Sequence, residues 1–370
     1  MSDVVHAVTP LEAEIRRRIL VAGPMPVSEY MALCLADRQH GYYTTADPLG
    51  AGGDFITAPE ISQMFGELIG LWMAAVWQQM GAPPNVRVIE LGPGRGTLLK
   101  DAVRAAKIVP AFIEAVVMHL VEINPVLESQ QERTLEPLQM PMFWHSSLAD
   151  VPAGPAILIA NEFFDALPVN QAVKTAHGWH ERQIDIDESG KLAFTLSATP
   201  IPHFAQLLPE AVRRAPEQSV FEWRDDTVAM DLGRRIGRDG GAALVIDYGH
   251  AESAAGDTLQ AVARHAFAYP LTAPGSIDLT AHVDFQSLAR AVEAMGAAAH
   301  GPIEQSLFLR RLGIETRANT LKASVSRAAA AEIDAALERL TGTGPSGMGA
   351  LFKAMAFAQP KLGRPPGFET

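Results

Sequence analysis

Cysteine is almost missing from this chain: Cys34 stands alone in 370 residues. A single cysteine excludes an intrachain disulfide and any cysteine cluster for a metal, so no metal site is expected. Cys34 lies in Tyr30-Met31-Ala32-Leu33-Cys34-Leu35, an apolar run that suits a buried small hydrophobe. Long hydrophobic runs are also missing. No stretch approaches the roughly 20 uninterrupted apolar residues that span a bilayer. Asp3, Glu12 and Glu14 interrupt the start, which resembles neither a secretory signal nor an acid-poor mitochondrial presequence. These absences lead to the expectation of a soluble, cytoplasmic protein that is not membrane-embedded. Basic charge is in deficit, with 30 Lys and Arg against 42 Asp and Glu and a net charge of −12. Nucleic-acid affinity rests on cations that neutralise phosphates, so no nucleic-acid partner is expected. An acidic surface suits a basic partner instead, such as a protein segment bearing arginine or lysine.

What is present reads as a globular enzyme: 48% of residues are hydrophobic and 19% charged, ample for a sizeable core. Leu11, Ile15, Ile19 and Leu20 recur at helical spacing and predict a helix over residues 10–22, ending near Gly23-Pro24. A second helix is expected from Val27 to about Asp37, then a loop from His40 to Pro59. Ile61, Phe65, Leu68, Ile69, Trp72 and Val76 predict a long helix over 61–80. Residues 1–80 thus read as an N-terminal helical cap, and 81–370 as the core. The apolar helices outside the core offer a surface for a possible homodimer.

From residue 86 short apolar runs alternate with helical stretches, the mark of an α/β fold with a doubly wound, mostly parallel sheet. Strands are expected at Val86–Leu91, Val116–Glu122, Met142–His145, Ala156–Ala160 and Ala242–Asp247. Helices are expected between them at about 96–107, 125–135 and 226–239. Two inserts interrupt the rhythm: a β-hairpin or small meander in 169–200, and a helical segment over 313–345. Leu351–Phe357 reads as a closing strand. Ligands of such folds sit beyond the carboxyl ends of the strands.

The first core strand runs through Glu90 and Leu91 into Gly92-Pro93-Gly94-Arg95-Gly96. Glycines allow a tight turn and close approach of a ligand to the backbone. A dinucleotide fingerprint would place its third glycine at position 97, which is Thr97. The run G-x-G-x-G instead has the methyltransferase-like form. It makes Gly92, Gly94 and Gly96 candidate contacts for S-adenosylmethionine, with Glu90 facing a cationic amine or sulfonium. Glu122, at the end of the second strand, can accept from the hydroxyls of a ribose; nicotinamide enzymes use the same device, so it does not choose between cofactors. Ser147 and Leu148 are placed to meet an adenine edge and face, while Ser as a helix N-cap explains position 147 equally well.

The fourth strand leads into Asn161-Glu162-Phe163-Phe164-Asp165-Ala166-Leu167-Pro168. Two carboxylates and an amide beside two aromatics are poorly explained by core packing. Glu162 and Asp165 can grip a guanidinium, or take the proton that leaves it; Asn161 is a candidate cofactor contact. Their structural alternatives are a turn cap before Pro168 and a pair with a buried arginine. Thr57, in Gly53-Asp54-Phe55-Ile56-Thr57-Ala58-Pro59-Glu60, can cap the long helix or touch the ligand. His282, in Asp278–Phe285, can act as a base or as a helix-start histidine paired with Asp278. Tyr248 and His250 are candidate pocket walls.

With these residues in view, the sequence resembles the MidA family, bacterial relatives of the mitochondrial arginine methyltransferase that assists respiratory complex I assembly. The resemblance rests on His40-Gly41-Tyr42-Tyr43, Gly53 through Glu67, Glu90 through Thr97, Asn161 through Pro168, Ile246 through His250 and Asp278 through Phe285. Phe308-Leu309, Leu312-Gly313-Ile314 and Met348 through Met355 extend it over nearly the whole chain. It implies a seven-stranded class I methyltransferase sheet and S-adenosylmethionine as cofactor, while the start unlike a mitochondrial presequence points to a bacterial setting. For mitochondrial members it implies symmetric dimethylation of an arginine in a complex I core subunit. The family pattern has Ser where this chain has Asn124. The competing readings are a nicotinamide-linked oxidoreductase on the same fold, a non-catalytic assembly protein that kept the fold, and a methyltransferase of small molecules.

Overall fold

A computed structural model of the chain describes residues 8–45, 57–263 and 266–369. It divides into two compact units. One comprises Ile56–Phe164, Asp226–Ala251 and Val283–Thr370; the other comprises Met1–Phe55, Asp165–Asp225 and Glu252–His282. Residues 1–80, expected as one cap, therefore fall in both.

The larger unit is built on strands β1 (Val86–Leu91), β2 (Val116–Val121), β3 (Met142–His145), β4 (Ala156–Asn161), β5 (Gly241–His250), β6 (Ala298–Glu304) and β7 (Phe352–Ala358). Their order across the sheet is β3-β2-β1-β4-β5-β7-β6, with Val283–Asp284 added beside the end of β5. Strands β1 to β5 pair in parallel, and β7 is antiparallel to both β5 and β6. A strand covered on both faces has no solvated side to make polar, and every residue of β4 is buried. The strand order reverses between β1 and β4, which opens a crevice at their carboxyl ends.

Helices α1 (Gln63–Gln79) and α2 (Thr97–Ala106) pack face to face. They approach so closely that a Cβ on Gly70 would stand 2.1 Å from the Ala102 carbonyl oxygen. The long helix expected over 61–80 is broken at Ser62, whose extended backbone separates it from a one-turn helix, Ala58–Ile61. Ser62, not Thr57, caps the long helix: its hydroxyl accepts from the Met64 N–H at 3.2 Å. Helix α3 (Pro125–Leu135) follows β2, and α4 (Thr227–Asp239) precedes β5. The helical insert is α5 (Ile314–Lys322) and α6 (Arg327–Thr341). It is tied down by Arg317, whose guanidinium makes paired bonds of 2.7 and 2.8 Å to the buried Glu67 carboxylate on α1.

In the other unit, the helix Pro10–Ala22 buries Leu11, Ile15 and Ile19 and begins at Thr9, whose hydroxyl accepts from the Glu12 N–H. Fully burying each such side chain contributes about 1.5–3 kcal/mol. The segment expected as a hairpin or small meander forms more than that. Val169–Thr175, Gly178–Ile186 and Leu192–Leu196 join Met25–Pro26 and Val220–Arg224 in a five-stranded antiparallel sheet. The turn between Gly178–Ile186 and Leu192–Leu196 falls at Asp187–Gly190, with the Asp187 carboxylate accepting from the Ser189 and Lys191 N–H groups. Cys34 is buried in this unit's core, and burial pushes its thiol up to about 12. No helix among the described residues is long and apolar enough to cross a membrane.

Candidate active site

The glycine turn connects β1 to α2 at the switch point. Gly92, Gly94 and Gly96 all take positive φ, at 61°, 54° and 80°. At Gly92 the conformation is reinforced by space, since a Cβ there would meet the Phe163 ring at 3.0 Å. Gly96 is the N-cap of α2 and provides no side chain to close its first N–H groups. Thr97, where a dinucleotide fingerprint would have glycine, instead donates its hydroxyl to the Glu60 carboxylate at 2.6 Å.

Glu90 lies at the end of β1, 3% exposed, and its Oε2 has no hydrogen-bond partner among the described residues. Burial pushes this carboxyl up to about 8. A buried carboxyl with an open acceptor is costly by itself; an ammonium beside it would supply the missing donor, and a sulfonium only a compensating charge. Glu122 is differently placed. Its Oε1 accepts the N–H groups of Ile123 and Asn124 at 2.9 and 2.8 Å, and its Oε2 accepts from Gln131 at 3.0 Å. Burial raises its pKa, and those bonds oppose the rise. Asn124 caps α3 by accepting from the Val126 N–H at 2.8 Å, a task that serine also performs, so the departure from the family pattern leaves the turn intact. The two acids and the glycine-rich turn fit a nucleoside bearing a positively charged amino-acid end.

Asn161 ends β4, with its Nδ2 donating to Glu162 at 3.2 Å and its buried Oδ1 unpartnered among the described residues. Glu162 takes a left-handed φ of 49°, rare for a residue with a Cβ and costing about 1–3 kcal/mol. Its Oε1 accepts the N–H of Ala58, the first residue of the one-turn helix that Thr57 precedes. The Thr57 hydroxyl makes no capping bond. The structure therefore brings Glu90, the three glycines, Glu122, Asn161, Glu162 and Thr57 into one unit. The Glu162 turn is fastened by Asp247 on β5, whose Oδ2 accepts the N–H groups of Phe163 and Phe164.

Other expectations change. Ser147 directs its hydroxyl to Asp150 at 2.8 Å and makes no side-chain cap for the short helix Leu148–Asp150. Leu148 is buried, and its carbonyl accepts from Arg235. Asp165 and His282 belong to the other unit. His282 is not at a helix start: Asp284 caps the helix Phe285–Glu293, and Asp278 accepts the Tyr43 hydroxyl. The His282 N–H donates to the Thr258 hydroxyl at 2.9 Å. Arg224 had no signal in the sequence, yet its guanidinium donates to the carbonyls of Asp165, Leu167, Ala281 and His282. Tyr248 is buried against Phe352, and His250 Nε2 stands 3.9 Å from Asp284. Gly53-Asp54-Phe55 lies outside the described residues.

The family of S-adenosyl-L-methionine-dependent methyltransferases matches this chain over residues 68–303. The chain belongs to that family. Its cofactor is S-adenosylmethionine, which removes the nicotinamide reading. The methyltransferase is 39% identical over 94% of its length to the mitochondrial protein arginine methyltransferase NDUFAF7 homolog of Drosophila melanogaster, covering 84% of that protein. It is 40% identical over 85% of its length to mitochondrial NDUFAF7 of Rattus norvegicus, covering 76% of it. Among solved structures, a protein from Burkholderia thailandensis bound to S-adenosyl-homocysteine superposes with a TM-score of 0.82 at 28% identity. That match covers 97% of this chain and 92% of the other.

Proposed function

We propose that this methyltransferase modifies arginine in a protein, with Glu162 as the carboxylate that receives the guanidinium. The observation that carries the reading is the strained Glu162 turn at the crevice between β1 and β4, held by Asp247. The names of the relatives point the same way, and a net charge of −12 suits a basic segment. Glu90 faces the cofactor's cationic end, Glu122 accepts from its ribose, and the glycine turn leaves room for both. A core subunit of respiratory complex I is the first substrate to test, as the resemblance implies.

S-adenosylmethionine, when bound, supplies a methyl group on a sulfonium, open to in-line attack. The protein's task is alignment and proton removal. A carboxylate fixed in one rotamer can hold a planar guanidinium by two parallel N–H bonds and so choose which nitrogen faces the methyl. The same oxygens, or a water on them, take the proton released as the new N–C bond forms. Asp165 and His282 are further candidates, to be judged by the same assay.

Lysate from cells lacking the gene, incubated with purified enzyme and labelled S-adenosylmethionine, should give one labelled protein whose hydrolysate contains methylarginine. Glu162→Gln should lose the label while still binding S-adenosyl-homocysteine. Methyllysine, a labelled small molecule, or full activity in Glu162→Gln would overturn the reading. Cofactor binding with no labelled product would point to an assembly protein that retains the fold.

A further inference from the structure

We propose that Gln131 is a positioning residue that locks the glycine turn to the Glu122 carboxylate, so that the two form one cofactor-binding piece. This rests on the reading that Glu122 receives the ribose. Gln131 is wholly buried on α3. Its Nε2 donates to the Gly94 carbonyl at 2.7 Å and to Glu122 Oε2 at 3.0 Å. Its Oε1 accepts from Trp144 Nε1, on β3, at 2.9 Å.

The orientation of this amide is determined by chemistry. An indole N–H can only donate, so the oxygen of Gln131 must face Trp144 and both amide hydrogens must face the carbonyl and the carboxylate. A flip would set an N–H against the indole N–H and leave two acceptors facing an oxygen. The amide thus joins the turn after β1, the acid after β2 and the side chain of β3. Fixing the Gly94 carbonyl also fixes the Arg95 N–H, because the two point in opposite directions across a trans peptide. Burial at full satisfaction is the arrangement expected of a polar group retained for precision, since each bond it loses strands a buried partner.

The test is titration with S-adenosyl-homocysteine by calorimetry. Gln131→Met, similar in length and neutral, should weaken binding roughly tenfold. Gln131→Glu sets a second carboxylate against Glu122 and the Gly94 carbonyl. It should weaken binding by about a hundredfold at pH 8, with the loss relieved as pH falls and one carboxyl protonates. A role in packing alone would leave Gln131→Met, which fills the same space, at wild-type affinity. The double variant Glu122→Gln/Gln131→Met should lose less affinity than the two single losses combined, since the residues act as one piece.

Wild-type affinity in both Gln131 variants, with Glu122→Gln weakened, would overturn the positioning role and leave the ribose reading standing. Wild-type affinity in Glu122→Gln would overturn both. If the Gln131 variants do not fold, the unmodified chain decides. With glutamine labelled by 15N, the Gln131 side-chain amide resonances should move on saturation with S-adenosyl-homocysteine and not with methionine. No movement would overturn the proposal.

Discussion

Asp247 accepts the backbone N–H groups of Phe163 and Phe164 at 3.2 and 2.9 Å, and by doing so it holds Glu162, one residue earlier, in a left-handed conformation. Its Oδ1 takes the Tyr248 N–H as well, at 2.9 Å, so one fully buried carboxylate closes three backbone donors. Asp247→Leu should destabilise the protein by about 2–4 kcal/mol, because buried N–H groups lose a charged acceptor. Asp247→Asn, which keeps one acceptor oxygen, should cost less stability and lower kcat more than it weakens cofactor binding. Denaturant melts with steady-state kinetics check both; unchanged kcat in a folded Asn variant would detach this contact from catalysis.

Glu90 carries a pH signature. Its folded pKa is raised from 4.5 to about 8, so its contribution to stability is full below about 4.5 and is lost as pH rises through about 8. Glu90→Gln, neutral throughout, should therefore raise the melting temperature of the cofactor-free protein relative to wild type at about pH 9 but not near pH 4.5. A cationic ligand favours the ionised form, so S-adenosylmethionine should bind wild type more tightly as pH rises toward 8. The glutamine variant should lose that slope along with most of the affinity. A wild-type affinity that is flat across this range would contradict the placement of a cation beside Glu90.

The Glu67–Arg317 pair predicts an asymmetry. Glu67 is buried and has two guanidinium partners, Arg317 and Arg104, while both arginines are partly exposed. Removing Arg317 leaves the buried Glu67 paired with Arg104, whereas removing the carboxylate takes its bonds from both arginines at once, although Arg104 keeps Asp101. Glu67→Ala should cost about 3 kcal/mol and Arg317→Ala about 1 kcal/mol, measured by chemical denaturation. Equal losses would show that the pair contributes only its packing.

Arg224 donates to four carbonyls on two separate stretches, Asp165–Leu167 and Ala281–His282. Lysine retains the charge but not the planar fork. Arg224→Lys should speed amide hydrogen exchange in residues 165–167 and 281–282 while leaving the strands β1 to β4 protected. Exchange unchanged from wild type in both stretches would rule out the clamp.

The glycine turn was legible because it is local: three glycines on a turn between an apolar strand and a helix need no distant partner to be recognised. Strands β1, β2, β4 and β5 were legible for the same reason, as short apolar runs buried along nearly their whole length leave a clear pattern. Glu162 could be singled out, since a carboxylate beyond the end of a buried strand has no place in a core. The pairing that holds it could not, because Asp247 lies 84 residues from Phe163 and meets it only when β4 and β5 lie side by side. Nothing local marked Gln131, and only the fold turns it inward to join Gly94, Glu122 and Trp144. The sequence alone therefore determined the α/β class, the glycine turn after the first core strand and the acids that end the strands beside it. Tertiary structure decided which of those acids are held, by what, and that Asp165 and His282 belong to a different unit from Glu162. The reason is physical: backbone conformation and apolar period are written within a few residues, whereas satisfying a buried polar atom depends on partners brought together by the whole chain.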